Sequence, residues 1–375
     1  MDFLKKSTPF SFNEVYMGNA FNMLYMLKEG GAVLDYQFRN LIFEGGGVKG
    51  IAYLGALGVL QEKDILPKIE RIGGTSAGAI IGLLIGLNFS VKEIEEILRE
   101  LDFTKFLDDS IGIIIDTVRL FKEYGWYKGD YFHDWVGSII NRKTGNPDAT
   151  FQEIYEAGKD LGFKDMFFIG TNLSTRLSEV FSFEHTPDTC VADAICISMS
   201  IPLLFAAKRN EYNDVLVDGG MLDNYPIKLF DKEKYVNKFA NEPEYYKKLN
   251  AKLDLNNSAL SPYVYNKETL GFRLYSGSEN CIPSEQVEPR RNEIKDFLAF
   301  TKSLIMVYLE SKQNQHLHSD DWDRTIYIDS LNVKTTEFDL NDEKKNALIQ
   351  SGRTCAERYF EWYDDPANTV HNRPS

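Results

Sequence analysis

Positive charge is the first thing this chain is short of: 42 Lys and Arg stand against 56 Asp and Glu, a formal net charge of −14. That excludes the basic footprint of a nucleic-acid binder and a polybasic anchor for anionic membranes. Contact with a lipid surface is left to apolar insertion or to a partner. Cysteine is also sparse. The four present, Cys190, Cys196, Cys281 and Cys355, show no C-x-x-C spacing and no dense framework. They read as reduced thiols in a cytosolic-type protein. Long hydrophobic runs are missing, and the longest, over residues 77–87, is far too short to span a bilayer. The first six residues lead into a polar stretch without the apolar core of a secretory signal. The expected location is cytoplasmic with peripheral membrane contact, and signal-peptide-independent secretion stays open. No internal repeat and no low-complexity linker interrupts the chain.

What is present, over 375 residues that are 43% hydrophobic, is an alternation of strand and helix signals. Residues 1–36 look peripheral, with one helix expected over 19–28. Residues 41–43 make a short apolar strand stopped by Glu44 and Gly45-Gly46-Gly47. A helical pattern follows from Gly50 and is closed by Pro67, then a strand over 69–72 leads into Gly73-Gly74-Thr75-Ser76-Ala77-Gly78 and a second apolar helix. Such an order predicts an α/β fold with a central, mostly parallel sheet. Further on, Ser90 and Glu93 form a capping box. Residues 106–131 read as a lid, a membrane-facing flap or a buried helix hairpin. Residues 151–157 suggest a helix, 166–170 and 179–183 strands within hairpin range, 191–200 a helix, and 215–217 a strand ending at Asp218-Gly219-Gly220. Residues 231–262, dense in Lys, Glu, Asn and Tyr, read as a solvated helical insertion. A helix over 297–310, a strand over 325–328 and a helix over 342–362 complete the chain. The expected division is a catalytic domain over 37–231, a mainly helical insertion or lid over 232–324, and 325–375 returning to complete the domain.

Three glycine-bearing turns thus fall at the ends of expected strands. Gly74-x-Ser76-x-Gly78 matches the nucleophile elbow, a tight strand-to-helix turn that lifts a serine hydroxyl above a sheet. Taken alone it is equally a helix N-cap serine. Gly45, Gly46 and Gly47 offer backbone N–H groups ahead of a helix, the arrangement that holds an oxyanion. None of the five histidines, His133, His185, His316, His318 and His371, has a motif around it. Asp218 is therefore the better base, and either its pKa is raised by partial burial or the site depends heavily on oxyanion stabilisation. Alone, it too is an ordinary turn aspartate.

Together, Gly45-Gly46-Gly47-Val48-Lys49-Gly50, Gly74-Thr75-Ser76-Ala77-Gly78 and Asp218-Gly219-Gly220 resemble the signature blocks of the patatin-like phospholipases. Gly73, Thr171-Asn172-Leu173, Ser198-x-Ser200-Ile201-Pro202 and Asp223-Asn224-x-Pro226 extend the likeness over residues 41–231, and Leu270-Gly271-Phe272-Arg273-Leu274 continues it more weakly. Glu44 and Lys49 stand where the family usually has Asp and Arg, and Gly220 where Ala is frequent. The resemblance implies a three-layer α/β/α fold and a Ser-Asp dyad acting on acyl esters of phospholipids or other lipids at a membrane surface, without metal or organic cofactor. Ser76 would carry the acyl group, Asp218 would take its proton, and Gly45, Gly46 and Gly47 would hold the oxyanion. Lys49, Gly50, Gly74, Gly78, Gly219 and Gly220 would support the motifs. A protein or small-molecule activator is compatible with this reading.

Two other classes compete. Gly45-x-Gly47-x-x-Gly50 also fits a dinucleotide fingerprint, with Glu70 at the distance of a ribose-binding acid, although Glu70 begins its strand instead of ending it. A catalytically silent binding protein on the same fold is the other. Asp214, Asp218 and Asp223 cluster in sequence, but no histidine joins them, and they read as solvated turn residues and not as metal ligands.

Overall fold

Four consecutive buried residues, Asn40–Phe43, form strand β1 in a computed structural model of the chain. The structure describes residues 35–107, 123–253, 260–275, 294, 300, 301, 303–305, 307, 308 and 319–374. The chain divides into two units, residues 1–36 and 37–375, and among the described residues every strand and helix belongs to the second. The helix expected over 19–28, the apolar run 111–115, Cys281, His316 and His318 lie outside the described residues.

After β1 come α1 (Tyr53–Glu62), β2 (Arg71–Thr75), α2 (Ala77–Gly86) and α3 (Val91–Glu100). Next are β3 (Gly125–Tyr127), α4 (Asp130–Thr144), α5 (Phe151–Leu161), β4 (Asp165–Asn172) and β5 (Leu177–Phe181). Then follow α6 (Val191–Met199), β6 (Leu203–Phe205), β7 (Lys208–Arg209) and β8 (Val215–Asp218). The last are β9 (Ala240–Asn241), α7 (Glu244–Asn250), β10 (Tyr265–Asn266), β11 (Thr269–Tyr275), α8 (Ser319–Asp323), β12 (Thr325–Asp329) and α9 (Asp342–Asp364). The main sheet runs β12-β11-β1-β2-β4-β8-β7, with β5 also on β4. Strands β12 to β4 are parallel; β5 and β8 are antiparallel to β4. It is a mixed, mostly parallel sheet with helices on both sides, the expected class.

Both faces of this sheet are apolar, as a parallel sheet covered on both sides requires. On one face Phe43 stacks on Phe272 at 4.6 Å and meets Tyr53 of α1 edge-on. On the other, Ile42 and Phe167 pack with Ile227, Phe230 and Tyr235. Strand β2 lies two residues later than the sequence pattern predicts, so Gly73 and Gly74 are inside the sheet. A Cβ at Gly73 would overlap Ile42 and Leu229, and one at Gly74 would overlap the backbone of Gly78. The expected capping box of Ser90 with Glu93 is closed in the structure, and a second, Thr150 with Glu153, opens α5. Such caps contribute about 1 kcal/mol each.

Three regions differ from expectation. Helix α1 ends at Glu62 instead of running to Pro67, stopped by Asp64 at φ 55. Within 106–131, Gly125–Tyr127 is a strand paired parallel to Leu203–Phe205, while residues 108–122 of that stretch lie outside the described residues. Residues 231–262 are fastened, not merely solvated: Tyr235 and Tyr246 are buried, and the one α-helix among the described residues there is the short α7. Asp231 takes both guanidinium nitrogens of fully buried Arg324 at 2.6 and 2.7 Å, and Asp321 is the second partner at 2.6 Å. Strand β11 also falls within 232–324, yet it stands mid-sheet between β1 and β12.

Candidate active site

Register brings the candidate pair together. Thr75 of β2 is level with Ile169 of β4, and the next residue of β4, Gly170, is paired with Asp218 of β8. Ser76 and Asp218 therefore flank one row of the sheet. Sequence reasoning placed Asp218 at the carboxyl end of another parallel strand; β8 instead runs antiparallel and delivers it from the opposite direction.

Ser76 caps α2 with φ 54 and ψ −124. A non-glycine residue held there stores about 1–3 kcal/mol of strain, tolerated where the surroundings over-determine it. The surroundings do so here. The Ser76 N–H donates to Ser198 Oγ at 2.9 Å, and that hydroxyl donates to the Ile169 carbonyl at 2.7 Å. A Cβ at Gly78 would strike the carbonyls of Phe43 and Glu44, so the helix start is pressed against the end of β1. The Ser76 hydroxyl is buried and rests 3.4 Å from Met199 Sδ.

Asp218 is buried, and burial pushes its carboxyl up to about 7. Two neutral donors oppose the shift: the Gly220 N–H, at 2.6 Å from Oδ1, and the Ser76 hydroxyl. Gly219 packs so closely on the Ile169 carbonyl that no Cβ fits. Gly220 likewise leaves no room for one beside Asn224 and Asp218.

The glycine loop divides in its roles. Gly45 N–H donates to the Asn224 carbonyl at 3.0 Å, and Asn224 Nδ2 donates back to the Gly45 carbonyl at 3.0 Å. Gly45 is thus committed to holding the loop, and the expectation that it helps bind an oxyanion is corrected. Among the described residues the N–H groups of Gly46 and Gly47 have no backbone partner. Gly47 takes φ 56, and its neighbour Val48 donates to Thr335 O at 3.2 Å. Gly50 abuts Ala77. Lys49 is buried, and its charge acts on Glu44.

Three residues escaped sequence reasoning as site members. Arg273 Nε lies 3.5 Å from Glu44 Oε1, beneath the glycine loop. Asn224 ties that loop to the Asp218 turn, and Thr75 Oγ1 donates to the neighbouring Asp223 carbonyl at 2.9 Å. Met199 covers the serine. A lone Arg in the apolar run of β11 and a lone Glu ending β1 were the available signal, since buried charges need partners.

Beside Ser76 opens an apolar pocket lined by Gly47, Ala77, Ile80, Leu98, Met199 and Phe338, among others. The described histidines are engaged elsewhere: His133 with Asp193, His185 with Ser182, His371 with Asp323. Glu70 sits ahead of β2, at the opposite end of the strand from the glycine loop, and is paired with Arg39 and Arg71. That placement removes the ribose ligand a dinucleotide site needs. Asp214 is bound by Asn172 at 2.9 Å, and no group of three metal-ligating side chains gathers among the described residues. Among those residues no helix is long and apolar enough to cross a membrane.

Comparisons with known proteins show what the chain is similar to. An uncharacterised protein of Acanthamoeba polyphaga mimivirus is 31% identical over 85% of this chain and 93% of its own length. A probable lipid hydrolase of invertebrate iridescent virus 6 is 27% identical over 54% of this chain and 65% of its own. The crystal structure of VipD from Legionella pneumophila shares the fold at a TM-score of 0.51 and 18% identity, over 87% of this chain and 67% of that one. The patatin-like phospholipase family model matches residues 41–231, and the chain belongs to that family.

Proposed function

We propose that this lipid acyl hydrolase works through Ser76 and Asp218. Ser76 Oγ attacks the ester carbonyl carbon while its proton passes to the Asp218 carboxylate. The carbonyl oxygen becomes an oxyanion facing the N–H groups of Gly46 and Gly47. The alcohol leaves with the proton returned by Asp218, giving an acyl-serine. Water then attacks the acyl carbon, again giving its proton to Asp218, and the fatty acid departs as Ser76 is reprotonated. The observation that carries this reading is the apolar pocket beside Ser76, whose lining of Ile, Leu, Met and Phe side chains suits an acyl chain. A raised Asp218 pKa of about 7 supports the assignment, because a general base works best when its pKa lies near the working pH.

The same reading places the substrate at a lipid surface. Phe300, Leu304 and Val307 are exposed and helical, at spacings of one helix face, and Tyr308 Oη donates to the Met221 carbonyl just past the Asp218 turn at 2.9 Å. With a net charge of −14, apolar insertion and not attraction to anionic lipid would hold the protein there. The catalytic groups then belong to residues 37–231, with β11 and residues 325–375 completing the sheet.

The test is fatty-acid release from a lipid panel, read by mass spectrometry with and without cell extract as a source of activator. Release is expected from the native protein and not from Ser76→Ala. A fluorophosphonate probe that labels a serine other than Ser76 would overturn the assignment.

A further inference from the structure

A second pocket adjoins the apolar one, sharing Met199 and Phe205 as a common wall. Its chemistry differs. Lys128 and Lys208 line it together with Phe132, Cys196 and Ser200. It also reaches the backbone that supports both reacting side chains. Met199 Sδ lies 3.4 Å from the Ser76 Oγ, and the Ser200 carbonyl accepts the Asp218 N–H at 2.9 Å. The pocket is therefore walled in part by Met199, which rests on Ser76, and by Ser200, which holds the Asp218 backbone.

The charges around it are unevenly matched. Asp130 is taken by Lys128, and Asp193 by His133 Nε2 at 3.2 Å. Lys208 is half-buried and, among the described residues, makes no ion pair. It also borders a wide polar cleft whose lining includes Glu179, Asp188, Asp193, Glu211 and Asp214, none of them in an ion pair with it among the described residues. In a chain with 56 acidic residues, a half-buried ammonium without a carboxylate reflects placement and not scarcity. At the Cys196 thiol, Lys208 is the strongest charge felt, ahead of Asp193. Burial pushes that thiol up to about 12, so Cys196 brings no negative charge of its own.

We propose that this second pocket binds the phosphate ester of the substrate's head group, with Lys208 as its main cationic contact and Lys128 at its rim. The proposal rests on the acyl-hydrolase reading: one chain enters the apolar pocket, the ester lies at Ser76, and the phosphate turns toward Lys208. A free phosphate shares the same chemistry, and the experiment separates the two.

The full chain is assayed in neutral-detergent micelles on phosphatidic acid and on diacylglycerol with the same chains. The reading is the ratio of kcat/KM for the phosphate-bearing over the neutral lipid. Lys208→Met is expected to lower this ratio at least about tenfold, as loss of a charge-assisted contact does. Lys128→Met lowers it less, Lys208→Arg largely retains it, and Lys92→Met, remote and exposed, leaves it alone. An unchanged ratio in Lys208→Met, or an equal fall in Lys92→Met, overturns the proposal. Calorimetry with glycerol 3-phosphate gives a readout that needs no turnover: the native protein binds and Lys208→Met does not. If neither lipid is hydrolysed, the acyl-hydrolase reading falls while this binding still decides the pocket. Binding of inorganic phosphate without any effect of Lys208→Met on the lipid ratio overturns the head-group assignment.

Discussion

Two carboxylates flank the serine turn, Glu44 at the end of β1 and Asp218 at the end of β8. Each is almost fully buried, at 1% and 3% exposure, and burial raises each to about 7. Their surroundings are opposite. Glu44 has Arg273 at 3.5 Å, the Leu274 N–H at 2.7 Å, the Lys49 charge and Asn224. Asp218 has only the Gly220 N–H and the Ser76 hydroxyl, both neutral. A buried charge that is paired and hydrogen-bonded serves structure, here a tie between β1 and β11 below the glycine loop. A buried charge faced only by neutral donors is ready to take a proton. Equal pKa values therefore do not imply equal roles.

The largest effects should come from the Asp218 side. Asp218→Asn is expected to lower ester turnover by about 10³ or more, and Ser76→Ala to bring it to background, while both proteins fold. In the native protein the rate should rise with pH through about 7, because Asp218 acts only when deprotonated. A rate flat from pH 5 to pH 9 would remove Asp218 as base. Full activity in Asp218→Asn would erase the contrast with Glu44 altogether.

Next in size is the Glu44 side, read by stability. Arg273→Met leaves the buried Glu44 carboxylate without its strongest cationic partner, an arrangement that costs about 3–5 kcal/mol. Urea denaturation should show that loss, and adding Glu44→Gln should recover part of it, since Gln still accepts the Leu274 N–H. Simple additivity of the two substitutions would show that the pair is not coupled.

How much of this was legible in the sequence follows the range of the interactions. The capping boxes at Ser90 and Thr150 close within three residues; the first was read from the sequence, and the second, equally local, was missed. The serine turn was readable, because Gly74 is required by the backbone of Gly78 only four residues on. The direction of β8 was not, since a run such as Val215-Leu216-Val217 specifies a strand without specifying its neighbour. Nor could three consecutive glycines reveal that Gly45 alone meets Asn224, a contact across 179 residues. The pairing of Glu44 with Arg273 has the same long range. In residues 231–262 composition pointed to solvent, although the tyrosines were a signal of burial: Tyr246 donates to Asp231, itself bound by Arg324.

The smallest effect sharpens the comparison most, because the two sides predict opposite signs. The folded-state pKa of Asp218 lies above its ordinary value of 3.8, at about 7. The folded protein therefore holds a proton that the unfolded chain has released between those values. Stability from this group falls as pH rises through that window, and above about 7 the ionised carboxylate opposes folding. Asp218→Asn removes that burden while keeping an acceptor for the Gly220 N–H. Its melting temperature should exceed the native value at pH 8, by about 1–3 kcal/mol of stability, and the gain should shrink toward pH 5. Arg273→Met moves the other way, with its deficit largest at pH 8, where Glu44 is ionised. An Asp218→Asn protein less stable than native at pH 8 would mean that Asp218, like Glu44, is held for the fold and not for the proton.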